Sequence, residues 1–338
     1  MTLDLPAYGS DPSGLVCGYR FGPDGAGRAI DTSEALSWLR RDDAEKDTDF
    51  VWLHFALTNT ASEKWLRESL TLPDEFLDSL HEGSRSTRIE HAEGRLVAVV
   101  NDALYDFSFA ASDIAAMWLC VDKHAVISAR VKPLRSVDRL RASVNKGERF
   151  GSSVELLIHL LQDQCDVLVQ IVRKAIATVD GIEDTLLAGR LEIGRVDLGA
   201  LRRVLVRLRR LLAPEPAALF RLLNHPPGWI TAPDLQELRR STEEFAVVLD
   251  DMAALLERIK LLQEEVAAQV NEQNNRSLFL LTIFTVLALP INIIAGLLGM
   301  NVGGVPLAEH GRGFWIVVAI VATFTLPAVW LVFRRRQK

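Results

Sequence analysis

The sequence predicts an α+β membrane protein, in which an N-terminal cytoplasmic α/β domain is followed by a long helical stalk and two C-terminal transmembrane helices. Short strand-like and helix-like segments alternate in the first half of the chain, long helical patterns follow, and two uncharged apolar runs lie near the end. The predicted divisions are 1–151 for the α/β domain, 152–276 for the stalk, 277–300 and 314–333 for the two spans, 301–313 for the loop between them, and 334–338 for a basic cytoplasmic tail.

Composition restricts the class of protein. The 338 residues are 49% hydrophobic and 24% charged, which excludes a wholly disordered chain. The formal charge of -6 argues against nucleic acid as a partner, because phosphate binding depends on an excess of Lys and Arg. The three cysteines, Cys17, Cys120 and Cys165, form no CxxC pair and indicate reduced intracellular thiols.

The α/β domain is predicted from local patterns of apolar residues. The predicted strands are Phe50–Leu57, Arg95–Leu104, Ala116–Val121 and Ala125–Val131, with the last two joined as a hairpin at Asp122-Lys123. The predicted helices are Ser33–Arg41, Ser62–Leu70, Pro73–Glu82 and Pro133–Asn145. No Gly-rich phosphate loop, nucleophile elbow or HExxH motif occurs, so we do not expect an enzyme.

Longer helices are predicted after residue 152. They cover Ser153 to about Leu187, and Asp197–Leu212 with a possible continuation to Leu223. A break follows at 225–228, where the sequence is His-Pro-Pro-Gly. The last helix begins near Pro233 and meets no Pro or Gly until Pro290, so it is predicted to run unbroken from the cytoplasm into the membrane.

Two uncharged runs predict the spans. Leu278–Gly299 and Phe314–Phe333 are each long enough to cross a hydrocarbon core of roughly 30 Å. The alternative, a pair of buried helices in a soluble protein, is disfavoured by the length of both runs. Basic residues at 334–336 and 338 outnumber the single Arg312 of the connecting loop, which predicts cytoplasmic N- and C-termini. The N-terminus has no signal-peptide pattern.

Polar residues of the first span follow one side of the predicted helix. Steps of three and four residues connect the positions of this polar seam, which are Asn271, Asn275, Leu278, Thr282, Thr285, Leu289, Asn292, Gly296 and Gly299. An Asn is costly in lipid unless it is hydrogen-bonded or faces water, so the seam should point away from the bilayer. Heptad steps extend the seam to Glu264, Glu257 and Asp250 as a cytoplasmic acidic path, although a straight helix drifts about 20° per heptad from this repeat.

Two explanations of the seam remain open. Thr can bond back to its own helix, and a helix–helix contact can bury Asn292 without any pore. Two helices per chain cannot enclose an aqueous path, so the pore explanation requires a homo-oligomer in which the first span of every copy lines the axis.

Gly299-Met300-Asn301, directly after the first span, resembles the GMN signature of the CorA metal-ion transporter family. The run from Leu289 to Leu298 is similar to that family's pore helix, and the layout matches over essentially the whole chain. Within the family the chain most resembles the ZntB zinc-transporter branch, because residues 302–306, VGGVP, are similar to its GG-x-P loop. Leu298 stands where the magnesium branch usually has an aromatic residue, and the loop lacks that branch's acidic character.

The resemblance implies a funnel-shaped homopentamer in the bacterial inner membrane that transports divalent cations, with zinc as the expected ion and proton-coupled uptake as the favoured mode. Magnesium or broad divalent conduction and zinc efflux are the alternatives within the class. A membrane-tethered metal sensor or scaffold without a pore, and a membrane-anchored enzyme, are the alternatives from other classes. No cofactor is expected, and the expected partners are further copies of the chain, the lipid bilayer, metal ions and protons.

The residues of the predicted path suit a hydrated cation. The seam offers amide, hydroxyl and carbonyl oxygens, which are hard ligands, whereas tight zinc sites use His, Cys or carboxylate. We therefore expect the ion to cross partly hydrated, with Asn301 as a ring that holds its water shell and Leu278 and Leu289 as apolar gate rings. The alternative role of these leucines is packing between copies.

Two further groups are candidates for ion binding. Glu309 and His310 on the outer loop would attract cations or carry a proton, although solubility of the loop explains them equally well. His159, Asp163 and Asp166 share one helix face beside Cys165 and form a candidate regulatory metal site, against the ordinary alternative of packed or solvent-facing residues.

Overall fold

A central sheet organises the N-terminal part of the chain. The computed structural model describes residues 10–42, 46, 48–82, 87–110, 113–187, 191–300 and 311–335, and the side chains of these except 187, 191–197, 324 and 328–335. The strands are β1 Leu15–Phe21, β2 Gly27–Ala29, β3 Phe50–Ala56, β4 Arg88–Ala92, β5 Arg95–Ala103, β6 Ile114–Val121 and β7 Ala125–Arg130. They form one seven-stranded sheet in the order β2-β1-β3-β7-β6-β5-β4, in which only the β3–β7 pair is parallel.

Helices account for most of the remaining described chain. They are α1 Thr32–Leu39, α2 Thr60–Ser69, α3 Asp74–Glu82, α4 Arg135–Asn145, α5 Ser153–Leu187, α6 Leu191–Leu212, α7 Pro214–Asn224, α8 Ala232–Leu298 and α9 Gly313–Arg335. The Asp31 carboxylate caps α1, because it accepts hydrogen bonds from the backbone N–H groups of Ser33 and Glu34. Pro214 opens α7, where its missing N–H costs no helical hydrogen bond.

The sheet is the middle layer of a three-layer arrangement. Side chains alternate between its two faces, so Trp52 packs in one core and Leu53 in the other. The first core contains buried residues of α4, α5, α7 and the start of α8, such as Leu140, Leu157 and Leu219. The second contains α1, α2 and α3. With helices over both faces, the central strands are nearly continuous apolar runs.

The compact units differ from the predicted division at residue 151. The chain separates into Met1–Leu262 and Gln263–Lys338. Residue 151 lies inside the first unit, because Leu156 and Leu160 of α5 and Leu238 of α8 are buried in the same core as the sheet. The helices after residue 152 therefore contribute to the core of the α/β domain.

Candidate functional site

The apolar part of α8 is the first element of the candidate site. α8 carries an apolar stretch long enough to cross a membrane, and none of that stretch is buried within the chain. α9 carries a shorter apolar stretch, Gly313–Pro327. Large apolar side chains such as Phe279, Phe284 and Trp315 are exposed in both helices. Exposed apolar surface of this extent indicates contact with lipid or with other copies of the chain.

The polar seam lies opposite the more covered face of α8. Ile283, Leu287, Ile294 and Leu298 are half-buried and share one side of the helix. Thr282, Thr285 and Asn292 are exposed. With 3.6 residues per turn, these polar positions lie about half a turn away from the half-buried ones. The polar atoms of the seam are therefore presented away from the face that the chain itself covers.

Both seam threonines donate their hydroxyl protons to their own helix. The Thr282 hydroxyl donates to the Leu278 carbonyl at 2.8 Å, and the Thr285 hydroxyl donates to the Leu281 carbonyl at 2.9 Å. This is the back-bonding that the sequence left open as an alternative. It leaves the oxygen lone pairs free to accept hydrogen bonds, and water molecules around a cation donate outward. Back-bonding therefore does not exclude contact between these hydroxyls and a hydrated cation.

Backbone features mark the C-terminal third of α8. Pro290 lies inside the helix and has no N–H to donate to the preceding turn. The helix ends at Leu298, and the Gly299 N–H donates to the Ala295 carbonyl at 2.9 Å. A Cβ on Gly299 would lie 2.9 Å from that same carbonyl oxygen, closer than ordinary contact allows. Glycine is thus required at 299 by the turn that ends the helix, whereas Gly296 has open space around it.

Only some of the remaining pore candidates lie among the residues that the structure describes. Leu278 and Leu289, the candidate gate, are 60% and 56% exposed, and Met300 is 50% exposed. Asn275 and Asn271 are exposed as well. Asn301, Glu309 and His310 lie outside the described residues, so their predicted roles remain predictions.

The candidate acidic path is exposed at each of its positions. Asp250, Glu257 and Glu264 all face solvent in the chain. Glu257 accepts a hydrogen bond from the Lys260 ammonium at 3.2 Å, an ordinary surface ion pair on one helix. A cation that approaches Glu257 would therefore compete with Lys260.

The residues of the candidate regulatory metal site are held by ion pairs. Arg139 of α4 contacts Asp163 at 3.1 Å and Asp166 at 3.1 Å. His159 contacts Glu148 at 3.1 Å and Asp163 at 3.3 Å, and these carboxylates, Asp163 first, raise the pKa of the imidazole. Within the described ranges no group of three or more His, Cys, Asp or Glu residues is arranged to hold a metal ion. Arg139 occupies the position that a cation would take, so the geometry does not support this site.

Sequence reasoning missed a pair of buried carboxyl groups. Glu215 of α7 is 1% exposed, and its carboxyl oxygen accepts a hydrogen bond from the Gln164 amide at 3.1 Å. The same amide donates to the Asn101 carbonyl at 2.7 Å, next to Asp102. Burial raises the pKa of Glu215 to about 8, with a smaller contribution from Asp102. The only sequence signal is a Glu between two prolines in an apolar segment, PEPAALF.

Asp102 is the second buried carboxyl group. Its carboxylate accepts hydrogen bonds from the Ser136 N–H at 3.0 Å and from the Ser136 hydroxyl at 2.6 Å. Burial nevertheless raises the pKa of Asp102 to about 6, because the two bonds from Ser136 offset the lost hydration only in part. The two carboxyl groups connect β5, α4, α5 and α7 at one point of the core.

Comparison with known proteins decides the family. Residues 47–336 match the model of the CorA-like Mg2+ transporter protein family. This chain belongs to the CorA family. It is 30% identical to the divalent cation transporter CmaX of Pseudomonas aeruginosa, over 98% of this chain and 99% of that protein. It is 23% identical to the zinc transport protein ZntB of Pectobacterium atrosepticum, over 91% and 94% of the two chains.

Solved structures of CorA-family proteins share the fold. The full-length CmaX structure superposes with a TM-score of 0.80 at 27% identity, covering 97% of this chain and 99% of that one. The CorA magnesium transporter of Methanocaldococcus jannaschii superposes with a TM-score of 0.73 at 18% identity, covering 94% and 97%. The predicted family is confirmed, and with it an α/β domain followed by a long helix. CorA-family proteins transport divalent cations, and the chain is not an enzyme.

Proposed function

We propose that this protein carries divalent cations, with zinc as its principal cargo, across the bacterial inner membrane, and that uptake is coupled to protons. Several copies, five by family resemblance, would arrange the apolar part of α8 around a central path. Both chain termini would lie in the cytoplasm, as the basic residues after the second span indicate. Membership of the CorA family supports divalent cation transport, and the likeness to ZntB supports zinc.

The observation that carries the proposal is the position of the polar seam on α8. Thr282, Thr285 and Asn292 lie opposite the face that the chain covers, in a stretch otherwise made of apolar side chains. Polar groups at that depth need water or hydrogen-bonding partners. In a ring of copies, a seam that faces the centre would contact water in the path and the seams of neighbouring copies. The apolar faces of α8 would then contact neighbouring helices and lipid.

The chemistry of the seam favours a cation that keeps part of its water shell. Threonine hydroxyls whose protons are committed to the helix accept hydrogen bonds from metal-bound water. Asn301 would form the first ring at the outer mouth, with Gly299 fixing the turn before it. Glu309 and His310 would raise the local concentration of cations outside that ring. Leu278 and Leu289 would close the path by excluding water when their rings contract.

The experiment is metal uptake into liposomes that contain the purified full-length protein. Zinc is added outside, magnesium is the competitor, and the outside is either at the internal pH or more acidic. Protein-dependent zinc uptake that rises with the acid gradient is the expected result. Absence of any flux would contradict transport and would favour a membrane-tethered sensor.

A magnesium or broad divalent channel is the second candidate function. From residue 263 to 338 the sequence contains no Cys and a single His, His310, so apart from the Met300 thioether the spans offer oxygen ligands. Oxygen ligands suit magnesium at least as well as zinc. Zinc uptake that does not depend on the pH gradient, together with magnesium uptake at an equal rate, would favour this candidate.

A further inference from the structure

A pocket at one end of the sheet in the first unit has no part in the proposed ion path. Its volume is about 540 Å³, within the range of roughly 300–1,000 Å³ that small-molecule sites occupy. Six segments form it: the C-terminal half of α1, Lys46 before β3, the connection from α2 to α3, the β4–β5 turn, the β6–β7 turn, and the segment just before α8.

The pocket is rich in positive charge although the whole chain carries -6. Its charged lining consists of Arg40, Lys46, Arg95 and Lys123 against Glu93 and Asp122. Arg95 neutralises Asp122, since their side chains form an ion pair at 3.2 Å. Arg40 and Lys123 are exposed, and neither forms an ion pair with any carboxylate of the described residues. Two cations therefore remain available to an anion.

The pocket also has an apolar lining. It contains Leu36, Leu39, Leu70, Leu72 and Trp229. The Trp229 indole N–H donates to the Gly94 carbonyl at 2.8 Å, so the β4–β5 turn fixes the position of this ring. An anion alone would leave that surface unused, whereas a molecule with an anionic end and a flat or apolar body would contact both parts of the lining.

We propose that this pocket binds a phosphorylated small molecule of about the size of a mononucleotide. Arg40 and Lys123 would hold the phosphate by charge-assisted hydrogen bonds, and the leucines and Trp229 would contact the body of the ligand. Trp229 lies just before α8, which begins at Ala232. A bound ligand would therefore stabilise the segment that leads into the helix carrying the polar seam.

Adenosine monophosphate is the probe for the test, measured by isothermal titration calorimetry on the full-length protein in detergent. EDTA is present throughout, so that the measurement does not depend on transported metal. We expect saturable binding to the unaltered protein and at least a tenfold weaker affinity for the double variant Arg40→Gln/Lys123→Gln. Both side chains are exposed and unpaired among the described residues, so the double variant should fold normally.

The matched control is Lys146→Gln/Arg149→Gln, which removes the same charge from exposed positions outside the pocket. Its affinity should equal that of the unaltered protein. Adenosine and inorganic phosphate, each alone, should bind at least tenfold more weakly than the nucleotide, because each contacts only one part of the lining. Absence of nucleotide binding, equal loss of affinity in both double variants, or equal affinity for phosphate and nucleotide would overturn the proposal.

Discussion

Replacing Glu215 by Gln should make the stability of the protein less sensitive to pH near neutrality. Burial raises the pKa of Glu215 to about 8 from the ordinary 4.5. The folded chain therefore keeps this proton up to about pH 8, whereas the unfolded chain releases it near pH 4.5. The free energy of unfolding therefore falls as the pH rises between these values, and the whole decrease has occurred above pH 8. Glutamine keeps a similar shape but has no proton to release.

The magnitude follows from the two pKa values. The difference corresponds to about 5 kcal/mol in total, at 1.36 kcal/mol per pKa unit. From pH 6.5 to 7.5 the wild type should lose about 1 kcal/mol through this group. Asp102 adds little in that window, because its pKa is about 6 and most of its ionisation is complete. For a unit of this size, a loss of about 1 kcal/mol corresponds to about 2 °C in Tm.

The assay is thermal unfolding of the detergent-solubilised protein, followed by tryptophan fluorescence at pH 6.5 and 7.5. Between these values the Tm of the wild type should fall by about 2 °C more than that of Glu215→Gln. The control is Glu243→Gln, which changes an exposed glutamate of α8 and should follow the wild type. Parallel curves for wild type and Glu215→Gln would refute the assignment of a protonated, buried Glu215.

Three further predictions concern the other candidate residues. Gly299→Ala should lower transport and destabilise the end of α8 by about 1–3 kcal/mol, since its Cβ would meet the Ala295 carbonyl. Flux and thermal unfolding measure this, and Gly311→Ala, which has open space and lies outside the seam, is the control. Leu289→Ser should raise basal cation leak into liposomes if the side chain gates the path, whereas a loss of oligomer without leak would indicate packing. His159→Ala should leave zinc binding to the full-length protein unchanged, because Arg139 already holds the neighbouring carboxylates, and a lost binding site in calorimetry would contradict this.

The central strands could be predicted because they are apolar and bounded by turn residues. β3, β5, β6 and β7 lie within a residue or two of the predicted ranges, and the β6–β7 hairpin at Asp122-Lys123 is confirmed. The edge of the sheet was missed for a physical reason. β4 has the sequence RIEHA and a solvent-exposed side, and β2 has three residues, so neither shows an apolar run.

β1 and α7 were missed for other reasons. β1 contains Gly18, which reduces strand propensity; a Cβ there would lie 2.7 Å from the Ile30 carbonyl, so the close approach of the chain requires glycine. The possible continuation of the helix from Leu212 to Leu223 is wrong as one helix. Pro214 starts a new one, α7, because proline fits the first turn and not the interior.

The candidate site could be predicted where it depends on spacing along one helix. The seam from Thr282 to Asn292 follows from helical periodicity alone, and the structure places these residues on one exposed side. Sites that combine distant segments could not be found in this way. Arg139 reaches the carboxylates of α5 from α4, and Gln164 reaches Glu215 from another helix. These pairings depend on tertiary packing, which a single sequence does not display.

The central claim is that the polar seam of α8 lines the path of the cation. The direct test is zinc uptake by Thr282→Val/Thr285→Val compared with Thr323→Val/Thr325→Val. All four hydroxyls donate to a carbonyl of their own apolar helix at 2.8–2.9 Å, so both variants lose equivalent bonds. The account predicts that uptake falls at least several-fold in the α8 variant and stays unchanged in the α9 variant, with equal amounts of oligomer. Equal uptake by both variants would contradict it.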